Sequence, residues 1–239
     1  MNLEENITLG GLAFASYVCK KAYADKAYIN FLKSTNKCPD LSKDEHCRAL
    51  FEFLNGWNCR LPKAEKHRKK TCYIIKSWHR DFKDKLPAKN KNLLNLTEQE
   101  LDNANCTYED LKGRDAGSSD KKSRTIGETT ASKILFAIRP NSLVPWDNDI
   151  RDKLCPNGSY GEFLKKMQRM ACDLEELCKK QHFKLDELPE KLGESGNIQL
   201  NGQTIPKTIP KLIDEYNWIT ITKGCKPTRR NLQDWADWS

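Results

Sequence analysis

The sequence predicts a mainly α-helical protein, and three patterns support this. From Leu12 to about Phe31, apolar residues recur at three- and four-residue spacing with lysines between them. From Gly161 to Lys180 the same spacing predicts a clear amphipathic helix. Only the stretch from Gly193 to Pro210 favours irregular chain or a small hairpin, with Asn201–Gly202 as its turn.

Local signals place the helices that follow the first one. Ser42 is a plausible N-cap, because Glu45 stands three residues later and completes the capping-box pattern. The helix that begins there is expected to end at Asn55–Gly56, a normal C-terminal signal. A loop then leads to Pro62, and a long helix is predicted from there to about Phe82.

Further helix starts are predicted at Thr97 and, for a separate short helix, over Thr107–Leu111. The chain between Gly113 and Arg124 is polar and rich in Gly and Ser, which is typical of a flexible connector. Helices are then predicted over about Glu128–Ile138 and from about Asn148.

The composition is that of a globular protein. Of the 239 residues, 38% are hydrophobic and 31% charged, which is too apolar for a disordered chain. No apolar run approaches the roughly 20 residues of a membrane helix. The segment Met1–Gly10 carries acids and no basic residue, unlike a signal peptide. We therefore expect a cytoplasmic protein with no membrane partner, and a monomer.

The net charge of +8 is unevenly distributed. One basic run falls within positions 60–70 and a second, shorter one within positions 121–124. Such runs are typical either of solvated helix faces or of a surface that binds nucleic-acid phosphates. Their members are Arg60, Lys63, Lys66, His67, Arg68, Lys69 and Lys70 in the first run, and Lys121, Lys122 and Arg124 in the second.

The ten cysteines are scattered along the chain and contain no C-x-x-C pair. Structural zinc sites usually contain that short spacing. In a reducing compartment scattered cysteines behave as small hydrophobic residues. We therefore expect neither a metal nor any other cofactor.

The most informative stretch runs from Ser123 to Arg151. A glycine directly before a helix, here Gly127, permits a tight turn and leaves backbone N–H groups at the helix start. Those groups, with the positive end of the helix dipole, bind a phosphate oxygen. Thr129 and Thr130 lie in the first turn and are candidates for added hydroxyl contacts. Such a hairpin holds a DNA backbone without reading bases.

Asp147 follows a proline-containing turn and starts the next predicted helix. Taken alone it is an ordinary N-cap, since Asp is among the preferred capping residues. A carboxylate at a helix start can also face a cleft, so the two roles are compatible.

Together these residues resemble the signature of the helix-hairpin-helix base-excision DNA glycosylase superfamily. In that signature a hairpin glycine and a Thr-Ala pair precede a catalytic Asp that is followed by an apolar residue and an Arg. Here Gly127 lies twenty residues before Asp147, and Thr130–Ala131 and Ile150–Arg151 occupy the other positions. The direct match covers roughly 30 of the 239 residues.

The resemblance implies a two-lobed helical fold with the active-site cleft between the lobes. The lobes would span about residues 35–125 and 126–180 with the terminal segments, and the helix-hairpin-helix motif about residues 114–138. Double-stranded DNA would be the partner. Asp147 would be the catalytic carboxylate of base removal.

The chain also departs from the family pattern. The first hairpin glycine of the family is replaced by Thr125, and Ser123–Arg124 stand where Leu-Pro is usual. Members that also cleave the DNA strand carry a lysine two residues after the second glycine, where Thr129 stands here. Lys133, one turn further on, is interpreted as a surface lysine. We therefore expect base removal without strand cleavage.

A base that is flipped out of the duplex must be bound in a pocket, and a side chain must occupy the gap that it leaves in the base stack. Trp146 and Trp57 are candidates for the pocket, although Trp146 is equally compatible with a core position. Asn55, Asn58 and Arg60 are the candidates for filling the gap. Contacts to phosphates are expected from Lys66, Arg68, Lys69 and Lys70.

Three alternatives about function stay open. The protein is a glycosylase, a non-catalytic module that binds DNA through the same hairpin, or a helical scaffold in which the signature is coincidental. For a glycosylase the target base also stays open. It is either a damaged base removed in DNA repair or a hypermodified phage base, such as glucosylated hydroxymethylcytosine, removed in antiviral defence.

Overall fold

The computed structural model describes residues 7–62, 64–117 and 124–227. Within these ranges the protein is mainly α-helical, as predicted, and contains one small antiparallel sheet. No described helix combines the length and apolar character that crossing a membrane requires. Three residues of the predicted basic runs, Lys63, Lys121 and Lys122, lie outside the described residues.

Ten α-helices and two strands follow one another along the described chain. The helices are α1 (Leu9–Lys21), α2 (Lys26–Ser34), α3 (Asp44–Gly56), α4 (Glu65–Phe82), α5 (Glu98–Gly113), α6 (Glu128–Ile138), α7 (Asn148–Leu154), α8 (Tyr160–Lys180), α9 (Leu188–Lys191) and α10 (Ile209–Asn217). A π-helical turn, Trp218–Thr222, continues α10. Strands β1 (Asn197–Leu200) and β2 (Gln203–Pro206) form the predicted hairpin around Asn201–Gly202.

The first predicted helix is in fact two helices. The chain leaves α1 after Lys21, and Tyr23 adopts a left-handed φ of 50° that a helix cannot contain. Asp25 then precedes α2, and its carboxylate enters a buried group of charges with Lys207 and Lys211. The spacing of the apolar residues correctly predicted helix on both sides of Tyr23. It did not reveal the break, because the spacing pattern continues across the turn.

Two other helix boundaries differ from the prediction. Lys43, not Ser42, precedes α3, because the Ser42 hydroxyl donates to the Asp40 carboxylate at 2.7 Å instead of capping the helix. Thr97 does cap α5 in a complete capping box, but α5 continues without a break through Thr107 to Gly113. The Thr107 hydroxyl donates to the Asn103 carbonyl at 2.6 Å, as is usual inside a helix.

One continuous core of buried apolar residues connects elements from α1 to α10. Helix α1 packs on α10, α2 on α3, and α5 on both α6 and α8. These contacts bring the end of α3, the body of α6, the start of α7 and the C-terminal helix α10 around one cavity.

Candidate active site

Between α5 and α6 the described chain forms an antiparallel bridge of Asp115 with Thr125, and residues 118–123 of the predicted motif lie outside the described residues. The backbone amides of Ala116 and Ile126 donate to the carbonyls of Arg124 and Arg114, at 2.7 and 2.8 Å. Gly127 follows with φ 78° and ψ 166°, a conformation that is essentially restricted to glycine, and it stands at the N-cap of α6. The described part of the predicted motif thus has a helix on each side of this bridge, and the hairpin turn itself stays a prediction.

The carboxylate of Asp147 is held at both oxygens. Oδ1 accepts a hydrogen bond from the amide of Ile150 at 2.9 Å, which is the N-cap of α7 expected from the sequence. Oδ2 accepts a hydrogen bond from the Thr222 hydroxyl, also at 2.9 Å. The side chain is half-buried. The carboxylate therefore has one defined orientation at the border of the cavity.

Helix α6 fixes the backbone beside Asp147. The buried hydroxyl of Ser132 accepts from the amide of Trp146 at 3.2 Å and lies 3.1 Å from the carbonyl of the same residue. An ion pair between Glu128 and Arg151 joins the first turns of α6 and α7. The hairpin glycine and the aspartate of the signature are thus placed at the starts of two helices that are tied together.

The cavity beside Asp147 has a volume of about 210 Å³. Its walls come from Trp57 and Asn58 after α3, Lys133 on α6, Asp147 before α7, and the charged face of α10. This volume is below the roughly 300–1,000 Å³ of typical ligand pockets. It suits one flat ring system better than a ring with a bulky substituent fully enclosed.

Trp57 is the aromatic platform of this cavity. Its indole stacks on Phe136, with ring centres 5.9 Å apart and an interplanar angle of 11°. The ammonium groups of Lys133 and Lys211 lie 5.6 and 5.2 Å from the centre of the Trp57 ring. Both distances are in the range of cation–π contacts, which hold the indole in place.

Lys133 is not a surface lysine. It is half-buried, lines the cavity with Asp147, and donates a 2.7 Å hydrogen bond to the carbonyl of Trp57. The sequence interpretation of Lys133 was therefore wrong. The helical position alone did not reveal that this face of α6 meets the end of α3.

Trp146 belongs mainly to the core. It is 3% exposed and contacts the rings of Tyr108, Tyr160 and Phe163 at 4.9–5.7 Å between ring centres. It also borders the cavity. It thus supports the backbone that carries Asp147 more than it offers a free stacking face.

A buried charge cluster forms the wall that α10 contributes. Lys211 Nζ lies 2.9 Å from Asp25 Oδ1, 3.1 Å from Glu215 Oε1 and 3.3 Å from Asp214 Oδ2. Lys207 contacts Asp25 and Glu215 at 3.2 and 2.6 Å, and the Ser16 hydroxyl donates to Glu215. Three carboxylates therefore share two ammonium groups.

The pKa values of the acids in the cluster differ from their ordinary values. Burial raises the pKa of Glu215 to about 7, against the opposing charges of both lysines. Burial likewise raises the pKa of Asp214, partly offset by Lys211 and Lys133. For Asp25 the two lysines outweigh the burial that opposes them, and its pKa is well below the ordinary value.

The remaining predicted binding residues are placed as follows. Lys66, Lys69 and Arg124 are exposed. Arg68 pairs with two acids, Glu52 and Glu65, and Lys70 pairs with Asp115 at 2.7 Å. Part of the first basic run is therefore already neutralised within the protein.

The two hydroxyl candidates on α6 differ. Thr130 is 4% exposed, with its hydroxyl beside the thiol of Cys59, so it is not available to a phosphate. Thr129 is half-buried at the helix start.

The three gap-filling candidates differ as well. The Asn55 side chain accepts from the Leu61 amide at 3.0 Å and holds the loop. Asn58 and Arg60 are exposed on that loop with left-handed φ values of 61° and 53°, and Asn58 borders the cavity.

Comparison of the chain with protein-family models, with curated proteins and with solved structures found no significant match. In the described ranges no group of three or more His, Cys, Asp or Glu side chains is arranged to hold a metal ion.

Sequence reasoning missed four residues of this site: Thr222, Lys133, Lys211 and Asp214. The alternation of lysines and acids over 207–215 is a signal that was available, since Lys211 and Glu215 lie four residues apart on one face of α10 and Lys207 precedes Lys211 by four residues. Nothing in the sequence around Thr222 indicates that it meets Asp147.

Proposed function

We propose that the protein is a monofunctional DNA N-glycosylase, which hydrolyses the N-glycosidic bond of a base that has been flipped out of double-stranded DNA. One observation carries the proposal. Asp147 stands twenty residues after the hairpin glycine Gly127 and borders a ring-sized cavity whose platform is Trp57. The signature found in the sequence and the cavity thus coincide at the same carboxylate.

The carboxylate would act on the sugar. As the bond between C1′ and the base nitrogen breaks, its electron pair leaves with the base and positive charge develops on the sugar. Asp147 stabilises that charge and accepts a proton from the attacking water, whose oxygen bonds to C1′. The departing base takes up a proton from solvent and Asp147 returns its proton to solvent, so the products are the neutral base and an abasic site. The hydrogen bonds from Ile150 and Thr222 keep the carboxylate in one orientation.

The DNA backbone would lie along the hairpin and the start of α6. Gly127 gives the first turn of α6 its access to a phosphate, and the dipole of the helix favours that anion. The acid of this turn, Glu128, is paired with Arg151 and so repels a phosphate less. Exposed Lys66, Lys69 and Arg124 would add contacts that weaken with salt.

Strand cleavage is not part of the proposal. A lyase needs an unprotonated amine that attacks C1′ to form a Schiff base. The Lys133 side chain donates to the Trp57 carbonyl and lies over the indole ring, so it already has partners within the protein. Thr129 occupies the position of the family's lyase lysine and has no amine.

A non-catalytic DNA-binding module is the second candidate. The observation that favours it is that both oxygens of Asp147 already accept hydrogen bonds, as a purely structural N-cap would. Carboxylate oxygens have further lone pairs, so these bonds do not prevent contact with a sugar or a water.

Base release from DNA separates the two candidates. The wild-type protein is incubated with genomic DNAs that carry different modified or damaged bases, phage DNA included, and released bases are identified by mass spectrometry. A glycosylase releases one class of base and leaves abasic sites that alkali converts to breaks. Tight, salt-dependent binding with no base released from any of these DNAs would contradict the proposal and favour the binding module.

A further inference from the structure

Resting on the proposed function, we propose that Asp214 selects the base that enters the cavity, and that it favours bases with an exocyclic amino group. Asp214 lies on α10, in the wall that also contains Lys211, and Trp57 lines the same cavity. Asp214 would therefore meet the edge of a base stacked on Trp57.

Asp214 is the member of the charge cluster most open to the cavity. Its side chain is 14% exposed, against 3% for Lys211 and none for Glu215. Its Oδ2 pairs with Lys211 at 3.3 Å, and its Oδ1 accepts no hydrogen bond from any residue that the structure describes. The cluster thus presents one unsatisfied acceptor to the cavity.

The charge cluster has few hydrogen-bond donors left for a ligand. The Lys211 ammonium has three N–H groups and three carboxylates around it, Asp25, Asp214 and Glu215. Lys207 is 4% exposed and contacts Asp25 and Glu215. The wall formed by α10 therefore accepts hydrogen bonds and does not donate them.

Asp25 is a further carboxylate of the cavity lining, and it is ion-paired with Lys207 and Lys211. Asp25 has a side chain only 9% exposed, and its Oδ1 accepts no hydrogen bond of good geometry although Lys211 Nζ is 2.9 Å away. Burial raises the pKa of Asp214, because its ionised form has less stabilisation in the protein than in water. A donor on the ligand would supply it.

The bases differ in whether they present a donor or an acceptor to Asp214. The amino groups of adenine and cytosine donate where the corresponding carbonyl groups of hypoxanthine and uracil accept. A carbonyl facing Asp214 would bring two acceptors together and leave the buried carboxylate unpaired. A matched contact of this kind discriminates roughly 10- to 100-fold between bases.

The test uses free bases, so that it does not depend on catalysis. The protein is bound to a duplex with a tetrahydrofuran abasic-site analogue, which leaves the cavity empty. The dissociation constants of adenine, hypoxanthine, cytosine and uracil are then measured by calorimetry. We expect the wild type to bind one amino base at least tenfold more tightly than its carbonyl counterpart.

Three variants isolate the contribution of Asp214. Asp214→Asn keeps the shape but adds a donor, and should bring the ratio close to one. Asp214→Glu keeps the acceptor and should keep the preference. Asp173→Asn removes an exposed acid on α8, outside the cavity, and should leave the ratio unchanged. Thermal unfolding of each variant establishes that it is folded.

Several outcomes overturn the inference: an unchanged ratio in Asp214→Asn, a wild type that prefers the carbonyl bases, or a wild type that binds none of the four. Base release by the wild type is measured separately. Amino-base binding without base release would contradict the proposed function and leave the selectivity of Asp214 standing. Base release by the wild type together with an unchanged ratio in Asp214→Asn would support the proposed function and contradict the selectivity of Asp214.

Discussion

The hydroxyl of Thr222 donates a 2.9 Å hydrogen bond to Oδ2 of Asp147, across 75 residues of sequence. Thr222 ends the π-helical turn that follows α10, and Asp147 begins α7. The C-terminal part of the described chain therefore orients the carboxylate that the signature identifies. This contact couples the C-terminal end of the α10 wall to Asp147.

Removing that hydroxyl should slow base release. In Thr222→Val the carboxylate loses one of its two donors, and a hydrogen bond to a charged group contributes ~1.5–3 kcal/mol. We expect the single-turnover rate to fall about tenfold or more, with DNA affinity unchanged. Thr222→Ser, which keeps the hydroxyl, is the matched control and should retain most of the rate. A wild-type rate in Thr222→Val would show that the contact only caps the helix.

Lys133 should not form a covalent bond with the sugar. When wild-type protein is incubated with substrate DNA and borohydride, we expect no trapped adduct on a denaturing gel, and strands that stay intact until alkali is added. Lys133→Ala should still release base, more slowly, because the loop that presents Trp57 loses its 2.7 Å anchor. A trapped adduct that disappears in Lys133→Ala would instead identify Lys133 as a Schiff-base nucleophile.

Gly127 should contribute to stability and DNA binding through its backbone conformation. A Cβ at this position has room, since the nearest atom is 4.0 Å away, but the φ of 78° is strained for alanine. We expect Gly127→Ala to lower the free energy of unfolding by ~1–3 kcal/mol and to weaken DNA binding. Gly113→Ala is the control, because Gly113 ends α5 with no atom within 4 Å of its added Cβ. It should leave DNA binding unchanged; equal losses in both variants would contradict a special role of Gly127.

The buried cluster should make stability depend on pH. The pKa of Glu215 is about 7 in the folded protein against 4.5 ordinarily, so the folded state holds this proton more tightly than the unfolded chain. Stability from this group is then fully present below pH 4.5 and is lost as the pH rises towards 7. We expect the free energy of unfolding to fall by ~1–3 kcal/mol from this source between pH 5 and pH 8.

Denaturant unfolding across that pH range tests this expectation. Glu215→Gln removes the excess carboxylate, keeps one acceptor oxygen for Lys207 and offers an NH2 donor to the Ser16 hydroxyl, so its stability should change less with pH than that of the wild type. Glu45→Gln, at an exposed position of α3, should follow the wild type. Parallel pH curves for wild type and Glu215→Gln would exclude Glu215 as the source.

Sequence reasoning reached those parts of the molecule that depend on near neighbours in the chain. Thr97 was recognised as a cap because its partner Glu100 is three residues away. Gly127 and Asp147 were found because one short segment contains both. Helical content was predicted well for the same reason, since apolar spacing is a local property.

The features that were not predicted depend on contacts between distant parts of the chain. Lys133 was misjudged because its environment is set by the end of α3, and Thr222 and Asp214 because the cavity is closed by α10. The break between α1 and α2 was missed because Tyr23 adopts a positive φ that its residue type does not announce. In each case tertiary contacts overrode the local pattern.

The central claim is that the charge of Asp147 drives base removal, and one comparison tests it most directly. Asn caps helices as well as Asp does, so Asp147→Asn keeps the fold of α7; it removes the charge and replaces the oxygen that accepts from Thr222 by an NH2 group. Asp149→Asn removes an exposed charge from the same helical turn. With DNA from which the wild type releases a base, we expect Asp147→Asn to bind normally and to release base at least a hundredfold more slowly, while Asp149→Asn releases it at the wild-type rate. Base release by Asp147→Asn at the wild-type rate would contradict the account.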